Sequence, residues 1–189
     1  MMKDLSMHIL DIAQNSVRAE ATDITIEIDE NVARNTLSIT VADNGRGMSA
    51  ELLKTVRDPF TTSRTTRKVG LGIPMLEQTC LQCDGRLALE STPGKGTTIT
   101  AAMAYNHIDR PPLGDLADSL LILLITNQAI HFIYNHRYNG ETFVFDTAEI
   151  REILGDTPFD LPEVRDWIKE YMTEGIAEIK ENEESSRKA

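Results

Sequence analysis

Three times in its first hundred residues this chain spells Gly-x-Gly, at Gly45-Arg46-Gly47, Gly70-Leu71-Gly72 and Gly94-Lys95-Gly96. Glycine enters positive φ without strain and lets other groups lie against its backbone, so these pairs divide the region into short elements joined by tight turns. The patterning between them agrees. Leu5, Ile9, Ile12, Ser16 and Ala19 recur three or four apart behind Asp4, which predicts an amphipathic opening helix capped near Asp4. Ile24 to Ile28 and Leu37 to Val41 alternate with period two and predict paired strands. Ser49 can cap a short helix to about Arg57, and Asp58 to Val69, rich in Thr and Arg, has the composition of a loop and is a candidate lid. Gly70 to Cys83 carries helical spacing and stops at Asp84-Gly85, with strands then expected at Arg86 to Ser91 and Thr97 to Ala104. Helices and strands interleaved in this manner predict a two-layer α/β sandwich.

Asp109-Arg110-Pro111-Pro112 interrupts any regular element, so a boundary is expected at the Pro-rich stretch 106–114. The expected organisation is therefore 1–105, a linker at 106–114, a small α+β unit at 115–182 and a frayed tail at 183–189. In the second unit a helix is expected at Asp115 to Thr126. Ala129 to Tyr138 and Glu141 to Phe145 read as a hairpin around Asn139-Gly140, a dipeptide suited to the two positive-φ positions of a type I′ turn. Asp146 with Glu149 resembles a capping box for a short helix. Pro162 to about Asn182 reads as a last acidic helix with Val164, Trp167, Ile168, Tyr171 and Ile179 on its apolar side.

Charge is uneven along these units. Residues 1–105 hold 11 Lys/Arg against 13 Asp/Glu, whereas 106–189 hold 8 against 17. No broad basic field is available for a phosphate backbone, which argues against nucleic acid as a partner. With 41% apolar residues the chain is a globular protein. Its longest apolar run, Leu120 to Ile125, is far below the roughly 20 residues of a membrane span. The polar start and two cysteines point to the cytoplasm.

Several residue groups carry chemistry. Asp11 and Asn15 are four apart on one helix face, with His8 and Arg18 on the same stripe. A carboxylate and an amide oxygen so placed can hold Mg²⁺, and Arg18 can meet phosphate charge, although a solvated helix face has the same pattern. Asp43-Asn44-Gly45-Arg46-Gly47-Met48 ends a predicted strand. A carboxylate fixed there can accept from an exocyclic amino group beside room for a planar base, yet Asp-x-Gly-x-Gly is also a common turn. Gly70-Leu71-Gly72 opens a helix behind Arg64, Arg67 and Lys68, and helix N-terminal amides bind phosphates. Gly94-Lys95-Gly96-Thr97 alone reads as a hairpin. Cys80-Leu81-Gln82-Cys83 supplies half a zinc set and is expected to be core. His131 and His136, an odd number apart in one strand, belong on opposite faces. Trp167 and Tyr171 suit either core or a docking anchor for a partner.

Taken in order, the helix with Asn15, then Asp43-x-Gly45-x-Gly47, then Phe60 with Thr61-Thr62, then Gly70-x-Gly72, then Gly94-x-Gly96-Thr97 resemble the asparagine, glycine and phenylalanine boxes of the GHKL ATPases. These form the Bergerat-fold superfamily of gyrase-type topoisomerases, heat-shock chaperones, sensor histidine kinases and MutL-type repair proteins. The resemblance covers about residues 4–104. It implies a mixed sheet under a helical layer with ATP bound between them. Asn15 matches the Mg²⁺ ligand, Asp43 the carboxylate that recognises the adenine amino group, and Gly45, Gly47 and Met48 belong to the adenine pocket segment. Phe60, Thr61 and Thr62 match the lid box, Gly70, Leu71 and Gly72 the hinge and phosphate-contacting segment, and Thr97 a hydroxyl near adenine. Asp11 stands where hydrolysing members carry a Glu, one methylene longer. Asn15-Ser16-Val17-Arg18-Ala19, with Arg18 three after Asn15, looks kinase-like. Sensor kinases place a dimerising hairpin with the phosphoacceptor histidine before this domain, and here about three residues precede the first helix; His107 resembles such a box only loosely.

The resemblance implies ATP-dependent phosphotransfer to a protein in trans, or slow hydrolysis, in signalling. Asp11 would orient the acceptor and Arg18 or Lys68 would neutralise phosphate charge. The alternative from another class is a non-catalytic ATP-gated protein-binding switch. A homodimer is an expectation from the family.

Overall fold

The computed structural model describes residues 3–57 and 71–188. Its elements are α1 (Leu5–Arg18), β1 (Asp23–Asn31), β2 (Thr36–Asp43), α2 (Ala50–Thr55), α3 (Gly72–Gln82), β3 (Arg86–Thr92), β4 (Gly96–Ala104), α4 (Leu116–Thr126), β5 (His131–Tyr138), β6 (Glu141–Asp146), α5 (Thr147–Leu154) and α6 (Pro162–Lys188). The strands form one mixed sheet in the order β3-β4-β2-β1-β5-β6, antiparallel except for the β1–β5 pair. The helices α3, α1, α4 and α6 follow one another across the face of that sheet. This is the two-layer α/β architecture expected from the patterning.

Alternation in the strands decides which face is covered. Ile24, Ile26 and Ile28 of β1, Leu37, Ile39 and Val41 of β2, and Ile99, Ala101 and Met103 of β4 are buried against Leu5, Ile9, Ile12 and Ala13 of α1. Each such large side chain contributes about 1.5–3 kcal/mol by leaving water. The opposite face carries Glu27, Asp29, Ser38, Thr40, Asn135 and Arg137, which water can solvate. Pairing register then brings chemistry together: with Ile28 opposite Ile39 and Ile26 opposite Val41, Asp43 falls opposite both Ile24 and Thr97.

The segment expected to form a unit of its own, 115–182, instead continues this sheet and core. Because β4 and β5 run parallel, the chain crosses over β2 and β1 through α4 and pairs β5 with β1, Asp23 opposite His131 through Glu30 opposite Tyr138. An exposed β1 edge is thereby closed. The Pro-rich stretch is docked rather than free, since the Pro112 and Leu113 carbonyls accept from the Leu5 and Ser6 amides, two of the donors a helix start leaves unpaired. At Asn139-Gly140 φ is +48° and +105°, the geometry expected of that hairpin. α6 runs from Pro162 to Lys188, so the helix continues past the end near Asn182 that its spacing predicts, over residues that are mostly good helix formers. On α6 the buried apolar residues among those described are Val164, Ile168, Met172 and Ile179, while Trp167 and Tyr171, expected on the apolar side, are 36% and 40% exposed and stack on each other.

Two histidines of β5 fasten this half, on opposite faces as parity requires. His136 is fully buried; its Nε2 donates to Glu30 Oε1 at 2.7 Å, which leaves Nδ1 to accept from the Tyr134 hydroxyl at 2.7 Å. Lys180 of α6 reaches the same Glu30 oxygen at 3.1 Å. His131 lies between Asp23, 3.1 Å from Nδ1, and Asp146, 2.8 Å from Nε2, and these hydrogen bonds, Asp146 foremost, hold its pKa above the ordinary imidazole value. Burial alone would raise the Glu30 carboxyl, but the His136 hydrogen bond and the Lys180 charge outweigh it and lower its pKa. A depressed carboxylate stabilises the fold above its unfolded pKa and loses that contribution as pH falls through the folded value. Urea midpoints of wild type and Glu30→Gln are therefore expected to differ at pH 7 and to converge as pH drops below about 4.3. A gap that stays constant down to pH 3 would contradict it.

Candidate functional site

The C-terminal end of β2, the start of β4 and one face of α1 enclose a cavity of about 260 Å³, completed by α2 and α3. Its walls are Ile12, Met48, Leu52, Ile73 and Ile99, and its polar groups come from Asn15, Ser16, Arg18, Asp43, Arg46 and Thr97. The apolar walls form a slot suited to a flat ring.

Asp43 anchors the polar end. Its Oδ2 accepts from the buried Ser16 hydroxyl at 2.6 Å, and its Oδ1 accepts from the Gly45 amide at 2.9 Å and the Thr97 amide at 3.3 Å. A carboxylate offers about four acceptor sites, so three are used and the one left is on Oδ2. Thr97 is tied in turn: its hydroxyl lies 2.9 Å from Ser91 Oγ, which also accepts from the Met48 amide at 2.8 Å. Behind Asp43, Asn44 bonds Thr22 and Asp23 through both ends of its amide, which anchors the strand end to the start of β1. At Gly96, with φ of +110°, an added Cβ would lie 1.8 Å from the Asp43 carbonyl oxygen, so only glycine lets β4 begin this close to Asp43.

On α1 the Asn15 Oδ1 accepts from Arg18 Nη1 at 3.0 Å, while its Nδ2 is buried with no partner. One turn earlier Asp11 supports α3: a Cβ on Gly72 would come within 2.0 Å of Asp11 Oδ2, so the carboxylate lies directly against the first residue of that helix, where its dipole favours negative charge. Among the described residues, no group of three or more His, Cys, Asp or Glu side chains is placed to hold a metal by itself. A Mg²⁺ ion seldom needs one, since it takes one or two side chains and fills its other positions from phosphates and water.

Of the residues singled out from sequence, Asn15, Arg18, Asp43, Gly47, Met48 and Thr97 line the cavity, with Gly45 bonded to Asp43 behind it. Asp11, Leu71 and Gly72 do not line it, and Leu71 is exposed. Phe60, Thr61, Thr62, Lys68 and Gly70, with the lid segment, lie outside the described residues. Ser16 was missed as a site residue; a hydroxyl on an otherwise apolar, buried stripe needs a partner, and that was its signal. His8 is buried away from the cavity, and burial lowers its pKa against the pull of Asp11 and Asp4. Cys80 and Cys83 are free and buried, and burial pushes the Cys80 thiol up to about 12, far from a reactive thiolate.

Comparison with known proteins gives the same outline. The family described as "Histidine kinase-, DNA gyrase B-, and HSP90-like ATPase" matches residues 3–106. A Shewanella frigidimarina protein described as a sensor protein is 34% identical over 109 residues, 57% of this chain and 17% of its own length. The sensor histidine kinase ZraS of Escherichia coli is 26% identical over 110 residues, 58% of this chain and 23% of its own. Sporulation kinase C of Bacillus subtilis is 28% identical over 99 residues, 52% and 23%. The chain thus spans less than a quarter of the length of each of these relatives. A solved N-terminal domain of a DNA repair protein shares the fold at a TM-score of 0.53 and 17% identity, over 76% of this chain and 52% of that one. Among the described residues no helix is long and apolar enough to cross a membrane.

Proposed function

This chain belongs to the histidine kinase-, DNA gyrase B- and HSP90-like ATPases, and from that membership we propose that it binds Mg-ATP and transfers its terminal phosphoryl group to another protein, or to water slowly. The observation that carries the nucleotide reading is Asp43. Three donors fix its carboxylate, and its remaining acceptor position is on an oxygen at the end of an apolar slot. An adenine ring stacked between Met48, Ile73 and Ile99 would offer its amino group there.

The residues at the other end fit a phosphate chain with its metal. Asn15 would hold Mg²⁺ through Oδ1 once Arg18 releases that oxygen, and the freed guanidinium would then meet phosphate oxygens. The orphaned Asn15 Nδ2 is a donor in need of such an acceptor. Bound Mg²⁺ would neutralise charge developing on the transferred group. Asp11 and Lys68 are the remaining candidates, Asp11 to orient the attacking hydroxyl or imidazole and Lys68 to neutralise phosphate.

The position of Asp11 against Gly72 favours a second reading. A carboxylate packed against the α3 start is placed to steady that helix rather than to reach an acceptor in the cavity, which suits a switch that binds ATP and changes its protein contacts without turnover. One incubation separates the two: purified protein with Mg²⁺ and γ-labelled ATP, following free phosphate, labelled protein and bound nucleotide. Asn15→Ala is expected to lower Mg-dependent ATP affinity about tenfold or more, a loss of at least ~1.4 kcal/mol, and to remove any product. Phosphate release or labelling that Asp11→Asn abolishes supports the transferase. Tight Asn15-dependent binding with no product from wild type, with or without candidate acceptor proteins, supports the switch. Binding unaffected by Asn15→Ala would overturn the metal assignment.

A further inference from the structure

The molecule carries a second lined surface, far from Asp43 in the sheet order. Between α5 and α6 runs an open groove of about 380 Å³ bordered by Ile153, Leu154, Val164 and Trp167, with Glu163 at its rim. Ile153 is 69% exposed, and Trp167 stacks on Tyr171 with ring centroids 5.6 Å apart and planes 15° from parallel. Single exposed apolar residues need no explanation, but a contiguous set with a stacked aromatic pair does. Tyr171 rests in turn on Phe143 and Phe145, with ring centroids 5.6 and 6.2 Å away, which ties the stack to the core beneath it.

The surroundings select the occupant. Glu149 and Glu152 flank Ile153 on α5, and Glu163, Asp166 and Glu170 flank Trp167 on α6, all exposed. Against these five carboxylates stand three cations, two of them engaged elsewhere: Arg151 lies over the Phe159 ring at 4.6 Å, Lys169 is paired with Asp118 at 2.6 Å, and Arg165 is exposed on α6. An apolar floor within a carboxylate rim complements a segment with apolar anchors on one side and Lys or Arg around them.

We propose that the α5–α6 groove docks a basic amphipathic segment of a partner protein, with an apolar anchor seated between Ile153 and Trp167. The site does not depend on the nucleotide reading, and docking is expected with and without Mg-ATP. Trp167 is the chain's one tryptophan, so its emission reports the groove directly.

The test uses the full chain and three synthetic peptides of equal length: alternating Lys and Leu in helical spacing, the same with Glu for Lys, and the same with Ser for Leu. The Lys/Leu peptide is expected to shift Trp167 emission to the blue and to bind at least about tenfold more tightly than either other peptide. Ile153→Glu, a change at an exposed position, should weaken it by a similar factor, as should the charge reversal Glu163→Lys with Glu170→Lys. Equal binding of the Ser peptide would reduce the effect to bulk charge and overturn the proposal, as would equal binding by Ile153→Glu. A wild-type chain that sediments as a dimer while Ile153→Glu sediments as a monomer would assign the groove to a second copy instead.

Discussion

Asp43→Asn is expected to lower affinity for ATP by about 10- to 150-fold, the equivalent of one hydrogen bond to a charged group worth about 1.5–3 kcal/mol. The reason lies in which acceptor position is free. Oδ1 is filled by the Gly45 and Thr97 amides, so an asparagine at 43 keeps its oxygen there and places its NH₂ where Oδ2 stood. Ser16, 2.6 Å from Oδ2, can turn its hydroxyl to accept instead of donate, which preserves the fold. What remains faces the slot as a donor, and an adenine amino group is also a donor. ATP loses its partner, whereas a base with a carbonyl oxygen at that position gains one, so the preference for ATP over GTP should narrow. Calorimetric titration of both nucleotides checks this. Undiminished ATP binding would move the base away from Asp43.

Gly96→Ala should cost about 3–5 kcal/mol, combining backbone strain with overpacking of about 1–3 kcal/mol each and little room to relax. Its φ is +110°, and the new Cβ would meet the carbonyl oxygen and carbon of Asp43 at 1.8 and 2.7 Å and the Cα of Asn44 at 2.8 Å. All three are backbone atoms, which no rotamer change can move. The strand end must give, and Asp43 goes with it, so ATP affinity should fall together with the urea midpoint. Gly94→Ala in the same turn is the control. Its φ is +75° with nothing within 4 Å of the added Cβ, so it bears the left-handed cost alone, about 1–2 kcal/mol. Equal losses at the two positions would show that crowding against Asp43 is not what fixes glycine at 96.

The residues that form the cavity were readable because local rules place them. The α1 stripe, the alternation of β1 and β2 and the glycine turns each act over a few residues, and together they set Asn15, Asp43 and Thr97 around one space. Ser16 was visible only as a hydroxyl in the wrong company, since its partner stands 27 positions away. The β1–β5 pairing leaves no local mark at all. Its strands read equally well as the edge of one sheet and the start of another, and parallel pairing has no turn to announce it. The Pro-rich stretch reads as a linker in sequence because composition records the interruption of regular structure but not the carbonyls that cap α1. Trp167 and Tyr171 satisfy helical spacing for the buried side, yet the bulk of Val164, Ile168 and Met172 fills that side first.

The crossover that seats β5 beside β1 also sets a clock on how the protein forms. Asp23 and His131 are 108 positions apart, so at about 5–20 residues per second a nascent β1 waits on the order of 5–20 s for its neighbour to be synthesised. During that interval its unpaired backbone is a template for any passing strand. The acidic side chains that point away from the core, Asp23, Glu27 and Asp29, repel another copy of the same strand in that interval. Once β5 arrives, Asp23 exchanges that duty for its bond to His131, so the same carboxylate guards the edge before folding is complete and closes it afterwards.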